Sequence, residues 1–252
     1  KIIITGGATR IGAAIARSLS GINKDIVIHY NKSKSKAENL KKELIKTGSK
    51  VYLVKGDLGK EKDLNKIVKF AKSKLKYFDC LINNASIFEN DKLENFNSSS
   101  WEKHLSINLK APAILSREFG KNIKGKNNNI INIIDQRVFK LTPFFFSYTL
   151  SKTGLYTLTK TSAMSLAPRV RVNGIAPGPT IKNKRQSKGH FRRQYLSTLL
   201  KKQVDFLGIY IRRAAAAIRV FASVPPILVS VFASIVVPTF RFRKCGSVVT
   251  CP

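Results

Sequence analysis

The feature that most constrains the fold is a regular alternation of short apolar runs with longer amphipathic stretches. Apolar, β-branched runs predict six strands, at 1–5, 25–30, 51–57, 79–85, 129–135 and 170–178. The spacing of apolar residues between them predicts helices at 11–19, 34–47, 61–75, 101–124 and 147–166. Because the strands are nearly continuous apolar runs, helices are expected to cover both of their faces. The pattern predicts an α/β fold, a doubly wound parallel sheet of the Rossmann type.

A glycine-rich turn, TGGATRIG at 5–12, joins the first strand to the first helix. Glycines permit a tight turn and a close approach of the backbone to phosphate, and the helix N-terminus offers unpaired N–H groups. Thr5, Gly6, Ile11 and Gly12 are therefore candidate cofactor-binding residues, and Arg10 adds a cation beside the phosphates. The alternative is a plain turn between a strand and a helix.

The end of the second strand indicates which dinucleotide would bind. An acidic residue there would bind the ribose 2′-hydroxyl of NAD, but the chain reads IHYNKSKSK and has none. His29, Asn31, Lys32, Ser33 and Lys34 offer donors suited to a 2′-phosphate, so NADPH is the expected cofactor. A second interpretation is that these residues cap the helix that starts near Ser33.

A Tyr and a Lys, Tyr148 and Lys152, lie one turn apart on one face of a predicted helix, and Asp135 precedes the Tyr by thirteen residues. The unperturbed pKa of a tyrosine is about 10. A nearby lysine ammonium favours the phenolate, so we expect Lys152 to lower the pKa of Tyr148. Tyr148 would then exchange a proton at neutral pH.

With these motifs, residues 1–205 resemble the short-chain dehydrogenase/reductase family. The matching pieces are TGGATRIG, GDL at 56–58, NNAS at 83–86, Asn108 in INLKAP, YTLSK and PGPT at 177–180. The resemblance implies that Tyr148 is the general acid, that Lys152 binds the nicotinamide ribose and that Asn108 holds a proton-relay water. The other cofactor contacts that it implies are Asp57 at the adenine, with Leu58, Asn84, Ala85, Ser86, Pro177 and Gly178.

Most members of that family carry Ser at the position of Asp135, where its hydroxyl binds the substrate carbonyl. A carboxylate repels a ketone oxygen, but it suits a substrate with a basic nitrogen, or it helps to carry a proton to Tyr148. Pteridine reductases of the family are similar to this chain in Asp135, in Arg10 and in His29–Tyr30 followed by Ser33. The resemblance implies reduction of a C=N bond in a dihydropterin or dihydrofolate. The expected substrate-binding residues are Arg10, Phe88 stacked on the pterin ring, Asp135 and Tyr148.

Several alternatives remain open. One is a 3-oxoacyl-thioester or other ketone reductase in which Asp135 is a substitution or a helix-capping acid. Phe88 is alternatively a packing residue, and Phe144, Phe145 and Phe146 either wall the pocket or cover the sheet edge. A catalytically defective nucleotide-binding protein is the alternative outside the enzymes.

The net charge of +32 raises the question of a nucleic-acid partner. The lysines lie on the polar faces of predicted helices, mixed with Glu and Asn, so we expect no specific nucleic-acid binding. Cys80, Cys245 and Cys251 are too scattered for a disulfide framework or a zinc site, and His104 and His190 lack metal-ligand spacing. The chain opens directly on a strand, from which we expect no signal peptide and a cytoplasmic location.

The composition changes abruptly near residue 206, which divides the chain into a reductase domain at 1–205 and a tail at 206–252. The tail carries five Arg, one Lys and no carboxylate. A frameshift or chimeric join is the preferred interpretation; a membrane segment at 224–240 is the alternative, although Pro225 and Pro226 interrupt it. Residues 190–205 fit a substrate-covering helix, but the last strand of the family is missing or replaced. The family resemblance also implies a homotetramer, formed partly through that region.

Overall fold

The computed structural model describes residues 1–125, 128–182 and 186–196. The strands are β1 (Ile2–Ile4), β2 (Asp25–Tyr30), β3 (Lys50–Lys55), β4 (Cys80–Asn83), β5 (Asn128–Ile133) and β6 (Val170–Ile175). The helices are α1 (Arg10–Leu19), α2 (Lys34–Ile45), α3 (Glu61–Leu75), α4 (Ser98–Leu105), α5 (Ala111–Gly120), α6 (Phe146–Leu166) and α7 (Lys188–Leu196).

The six strands form one parallel sheet in the order β3-β2-β1-β4-β5-β6. The predicted doubly wound α/β fold is therefore confirmed. The strand order reverses between β1 and β4, so the loops after these two strands diverge and leave a crevice at the carboxyl end of the sheet. Ligands of such folds bind at this switch point.

Side chains that alternate along the strands build a core on each face of the sheet. In β1, Ile2 and Ile4 belong to the core packed against α1 and α2, whereas Ile3 belongs to the core packed against α3, α5 and α6. In β2, Ile26 and Ile28 face the first core and Val27 the second. Both faces are apolar because helices cover both, which explains the uninterrupted apolar runs in the sequence.

The single helix predicted over 101–124 is divided in the structure. It begins earlier, at α4, where the Ser100 N–H donates to the Asn97 side chain at 2.8 Å. A π-helical turn, Ser106–Lys110, then joins α4 to α5, and α5 ends at Gly120. Such turns are rare and occur often at functional sites. This one carries Asn108, which is fully buried.

The described part of the chain ends within the segment predicted to cover the substrate. α7 forms the first part of that helix, and Phe191 is its buried residue. The remainder of the predicted helix, the missing last strand and the 206–252 tail lie outside the described residues. Within the described residues, no helix has both the length and the apolarity that crossing a membrane requires.

Candidate active site

The glycine-rich turn after β1 is held by hydrogen bonds from both neighbouring strands. The Gly6 N–H donates to His29 Nδ1 at 3.1 Å, and His29 Nε2 lies 3.0 Å from the Gly56 carbonyl oxygen. Both ring nitrogens are thus engaged by backbone, and burial lowers the pKa of His29. His29, predicted as a donor to a 2′-phosphate, therefore supports the turn instead, because its buried ring has no donor left for a phosphate.

The loop after β4 is tied to the same turn. Thr5 Oγ1 accepts hydrogen bonds from the N–H groups of Asn84 and Ala85, at 2.9 and 3.0 Å. The Asn84 amide in turn donates to the carbonyl oxygens of Thr5 and Gly6. These predicted cofactor-binding residues form one rigid floor of the crevice, across the point where the strand order reverses.

The turn has the close packing that a phosphate-binding turn needs. Gly6 adopts a φ of +59°, which favours glycine, and a Cβ on Gly12 would lie 2.3 Å from the Gly6 carbonyl oxygen. The N-terminus of α1 has no side-chain capping bond and no acid in its first turn. Its N–H groups and partial positive charge therefore suit an anion. The residues present fit a dinucleotide.

The other predicted cofactor residues surround this turn. Asn31 is exposed and Ser33 half-buried after β2, and Ser33 makes no capping bond to α2, so their polar groups remain suited to a 2′-phosphate. Arg10 reaches across the crevice, donating to the carbonyl oxygens of Ile181 and Lys182 at 3.0 and 3.1 Å. The remaining predicted contacts lie at this carboxyl end of the sheet: half-buried Ile11, Asp57, Pro177 and Gly178, and buried Tyr30 and Leu58.

The structure brings Asp135 and Tyr148 together. The Tyr148 hydroxyl donates to Asp135 Oδ2 at 2.7 Å, and Asp135 Oδ1 accepts from the Arg137 N–H at 2.8 Å. The second bond caps a short 3-10 turn, Gln136–Val138, so the carboxylate is both a capping group and a partner of the tyrosine. Asp135 follows β5, and Tyr148 lies in the first turn of α6.

The electrostatics of Tyr148 differ from the prediction. Burial and the Asp135 carboxylate raise the pKa of Tyr148 well above its usual value, while the Arg137 guanidinium lowers it. The expectation that Lys152 lowers this pKa is wrong, because burial and the carboxylate outweigh the one opposing cation, which is Arg137. Tyr148 therefore stays protonated at neutral pH and is a proton donor rather than a phenolate.

Lys152 lies beneath Tyr148 in a buried position. Its Nζ donates to the Ile133 carbonyl oxygen at 2.8 Å and lies 5.8 Å from the centroid of the Tyr148 ring. Burial lowers the pKa of Lys152 to about 8, although the Asp135 carboxylate raises it. A lysine that is 2% exposed and holds one backbone carbonyl is an unusual group for a core, and it marks this part of α6 as functional.

The pKa of Lys152 predicts a rise in stability with alkaline pH. The unfolded lysine keeps its proton up to about pH 10.4, whereas the folded one releases it near 8, so the unfolded chain binds more protons in between. The contribution of Lys152 to the free energy of unfolding, taken as the difference from Lys152→Met, should rise between pH 8 and pH 10 by up to about 3 kcal/mol. Urea unfolding followed by Trp101 fluorescence measures this rise. Parallel curves for the two chains would contradict the assignment.

Asn108 holds the segment 86–91, which we call the strap, against α6. Its Oδ1 accepts from the Ile87 N–H at 2.9 Å and the Ser86 hydroxyl at 3.1 Å, and its Nδ2 donates to the Ile87 carbonyl and to Ser151 Oγ. The side-chain amide thus uses both of its N–H groups and accepts two hydrogen bonds, and the relay-water role that the family resemblance implied for Asn108 stays a prediction. In this arrangement its side chain fixes the strap.

The strap has two further anchors that the sequence did not reveal. The Glu89 N–H donates to His104 Nε2 at 3.3 Å, and Asp91 accepts from the N–H groups of Phe146 and Ser147 at the start of α6. Residues 87, 89 and 91 are thus each bound, and Phe88 lies between two of them. No sequence motif indicates the role of His104 or Asp91, because that role depends on contacts with residues distant in sequence.

Phe88 forms part of an aromatic wall around Tyr148. Its ring stacks on Phe145, with centroids 4.2 Å apart and planes 4° apart, and meets the Tyr148 ring edge-on at 4.6 Å. Phe145 adopts a φ of +60° just before α6, which is uncommon for a bulky residue and often marks a functional site. Of its neighbours, Phe144 is exposed and Phe146 packs on Trp101, so only Phe145 reaches the site.

The comparisons with known proteins identify the family of this chain. Residues 1–192 match the model of the short chain dehydrogenase family, and the chain belongs to that family. A 3-oxoacyl-[acyl-carrier-protein] reductase from Synechocystis sp. is 29% identical over 178 residues, 70% of this chain and 72% of that protein. The short-chain dehydrogenase/reductase FrzI from Cladobotryum sp is 31% identical over 179 residues, 70% of this chain and 69% of that protein.

Among solved structures, the fold is similar to the FolM alternative dihydrofolate reductase 1 from Brucella canis in complex with NADP. The two are 38% identical, with a TM-score of 0.80, over 87% of this chain and 86% of that one. Together, the family match and the site make this chain an oxidoreductase of the short-chain family.

Proposed function

We propose that this chain reduces a C=N bond of a dihydropterin or dihydrofolate with NADPH. The observation that carries the proposal is the Asp135 carboxylate, which accepts a hydrogen bond of 2.7 Å from the Tyr148 hydroxyl. A carboxylate at this place repels the negative charge that develops on a ketone oxygen. It favours a substrate nitrogen that gains a proton. The similarity to a FolM alternative dihydrofolate reductase supports the same substrate class.

The cofactor site supports NADPH. The glycine turn and the start of α1 would hold the pyrophosphate, and the residues after β2, which include no acid before Glu38, would receive the 2′-phosphate. The structures of FolM from Brucella canis and Brucella suis both contain NADP. When bound, NADPH supplies the hydride.

The chain itself supplies the proton. Reduction adds a hydride to the carbon of the C=N bond and a proton to its nitrogen. Tyr148 is the donor, because its raised pKa keeps the hydroxyl protonated until it meets a base. The negative charge that remains lies on the Tyr148–Asp135 pair. A proton from solvent then restores the Tyr148 hydroxyl. Lys152, bound to the Ile133 carbonyl, would turn its remaining N–H groups toward the nicotinamide ribose.

Purified chain mixed with NADPH and a 7,8-dihydropterin or dihydrofolate should lose nicotinamide absorbance. Asp135→Asn is the most informative variant, because its amide oxygen can still accept from the Arg137 N–H, whereas the charge and the acceptor of the Tyr148 hydroxyl are lost. It should lower kcat with the pterin by about 10²-fold, the worth of one proton-transfer group. Binding of NADPH, measured separately, should not change.

A ketone reductase is the second candidate, favoured by the similarity to the Synechocystis 3-oxoacyl reductase. An acetoacetyl thioester assayed in parallel separates the two. Turnover of the thioester alone, rising in Asp135→Ser, would overturn the pterin proposal. NADPH binding without turnover of either substrate would indicate a nucleotide-binding protein that does not catalyse.

A further inference from the structure

Arg137 occupies a fixed place beside the Asp135–Tyr148 pair, although no motif singles it out. Its main-chain N–H donates to Asp135 Oδ1 at 2.8 Å, and its Nη1 donates to Thr142 Oγ1 at 2.7 Å. Both ends of the residue are thus tied within the loop 134–145, between β5 and α6. Its side chain is half-buried rather than free in solvent.

The guanidinium of Arg137 lies in the aromatic wall. Its central carbon is 4.5 Å from the centroid of the Phe145 ring and 5.8 Å from that of Phe88. A cation over a ring face is attracted by the ring quadrupole, and arginine stacks well on such faces. Because Phe88 also meets the Tyr148 ring at 4.6 Å, the wall holds a permanent positive charge close to the tyrosine.

Four charged or titratable groups of the described residues surround Tyr148. Asp135 and Arg137 come from the loop before α6, Lys152 from α6 itself, and His104 from α4, with its ring 6.3 Å from that of Tyr148. His104 accepts from the Glu89 N–H and lies 2.8 Å from the Ser100 carbonyl oxygen, so both of its ring nitrogens are engaged. Lys152 is engaged by the Ile133 carbonyl. Arg137 is the group whose charge persists at every pH of interest.

We propose that Arg137 is a positioning residue for the proton donor: its guanidinium, held over Phe88 and Phe145, stabilises the negative charge on the Asp135–Tyr148 pair. The proposal deepens the function proposed above and rests on it. The direction of its effect on the pKa of Tyr148, which it lowers against burial and Asp135, agrees with this role. Without Arg137 the pair would release its proton less readily, and the nitrogen of the substrate would be protonated more slowly.

The test compares Arg137→Gln, which removes the charge, with Arg137→Lys, which keeps it. Arg137→Gln should lower kcat roughly tenfold with little change in KM, and Arg137→Lys should recover most of the loss. The loss should be equal for dihydrofolate and for a dihydropterin without carboxylates. A rise in KM confined to dihydrofolate would overturn the proposal, because Arg137 would then bind the acidic substituent of the substrate. Lys140→Gln, the same charge change on an exposed neighbour, is the matched control and should alter neither parameter.

A double-mutant cycle shows whether Arg137 acts through the pair. In the Asp135→Asn background, Arg137→Gln should cost less than twofold, since the charge that it stabilises is reduced. An undiminished tenfold loss there would overturn the proposal.

A measurement without turnover keeps the two proposals distinguishable. NMR of chain labelled at tyrosine Cζ, with Tyr148 assigned through Tyr148→Phe, follows its ionisation directly. The Tyr148 titration should move to higher pH in Arg137→Gln and stay unchanged in Lys140→Gln. If the wild-type chain reduces no pterin, the proposed function fails, yet this titration still decides the role of Arg137. An unmoved titration would overturn it.

Discussion

Tyr148→Phe should lower kcat by about 10²–10⁴-fold while leaving the affinity for NADPH within about twofold. The substitution removes the hydroxyl that donates to Asp135 Oδ2, and it keeps the ring that packs edge-on against Phe88 and His104. The fold and the cofactor groove should therefore be intact, and only the proton donor is lost. Steady-state reduction of the dihydropterin, with NADPH binding measured by fluorescence, provides both numbers.

Tyr156 offers a matched control on the same helix. It lies two turns beyond Tyr148, where its ring meets Phe139 and the Lys160 ammonium, away from Asp135. Tyr156→Phe should retain wild-type kcat. If Tyr148→Phe also retained more than about a tenth of the activity, proton donation would have to be assigned to Asp135 itself.

Gly12→Ala should weaken NADPH binding by more than about 10²-fold and lower the free energy of unfolding by about 1–3 kcal/mol. An added Cβ would lie 2.3 Å from the Gly6 carbonyl oxygen, 2.6 Å from Asn84 Nδ2 and 2.9 Å from Gly7 Cα. Two of these atoms are backbone and cannot turn aside. The turn would have to open, and its N–H groups would no longer point toward the pyrophosphate.

Gly189 on α7 is the corresponding control, because a Cβ there would meet nothing within 4 Å. Gly189→Ala should be neutral or slightly stabilising, as expected for alanine in a helix. Titration with NADPH and urea unfolding distinguish the two variants. Unchanged NADPH affinity in Gly12→Ala would show that the turn is structural only.

The sequence predicted the sheet well because buried parallel strands leave a local signal. The bounds of β2 and α3 agree with the structure to the residue. The π-helical turn at Ser106–Lys110 had no such signal. Its extra residue turns Asn108 toward the strap and α6, and this requirement comes from tertiary contacts rather than from helical spacing.

The candidate site was predicted in composition but not in its electrostatics. Spacing placed Tyr148 and Lys152 on one helix face and the family resemblance added Asp135, yet neither could show how deeply the three side chains are buried. Burial reverses the expected direction for the pKa of Tyr148 and lowers that of Lys152 to about 8. The same limit explains His29, which looked like an exposed donor and is a buried support of the glycine turn.

Because the strap is anchored, the site has one part that is fixed by hydrogen bonds and one part with exposed positions. The strap that carries Phe88 is bound by Asn108 and His104, and its Asp91 accepts from the start of α6, the helix that carries Tyr148. Phe88 and Tyr148 are therefore held together. The loop 134–145 contributes Arg137 and Phe145 to the site, whereas its Phe139, Leu141 and Phe144 side chains are exposed. Mutations at these three exposed positions can therefore accumulate without displacing the proton donor. A chain built in this way can acquire a new substrate through changes at a few exposed loop positions while Arg137, Phe145 and the proton donor stay in place.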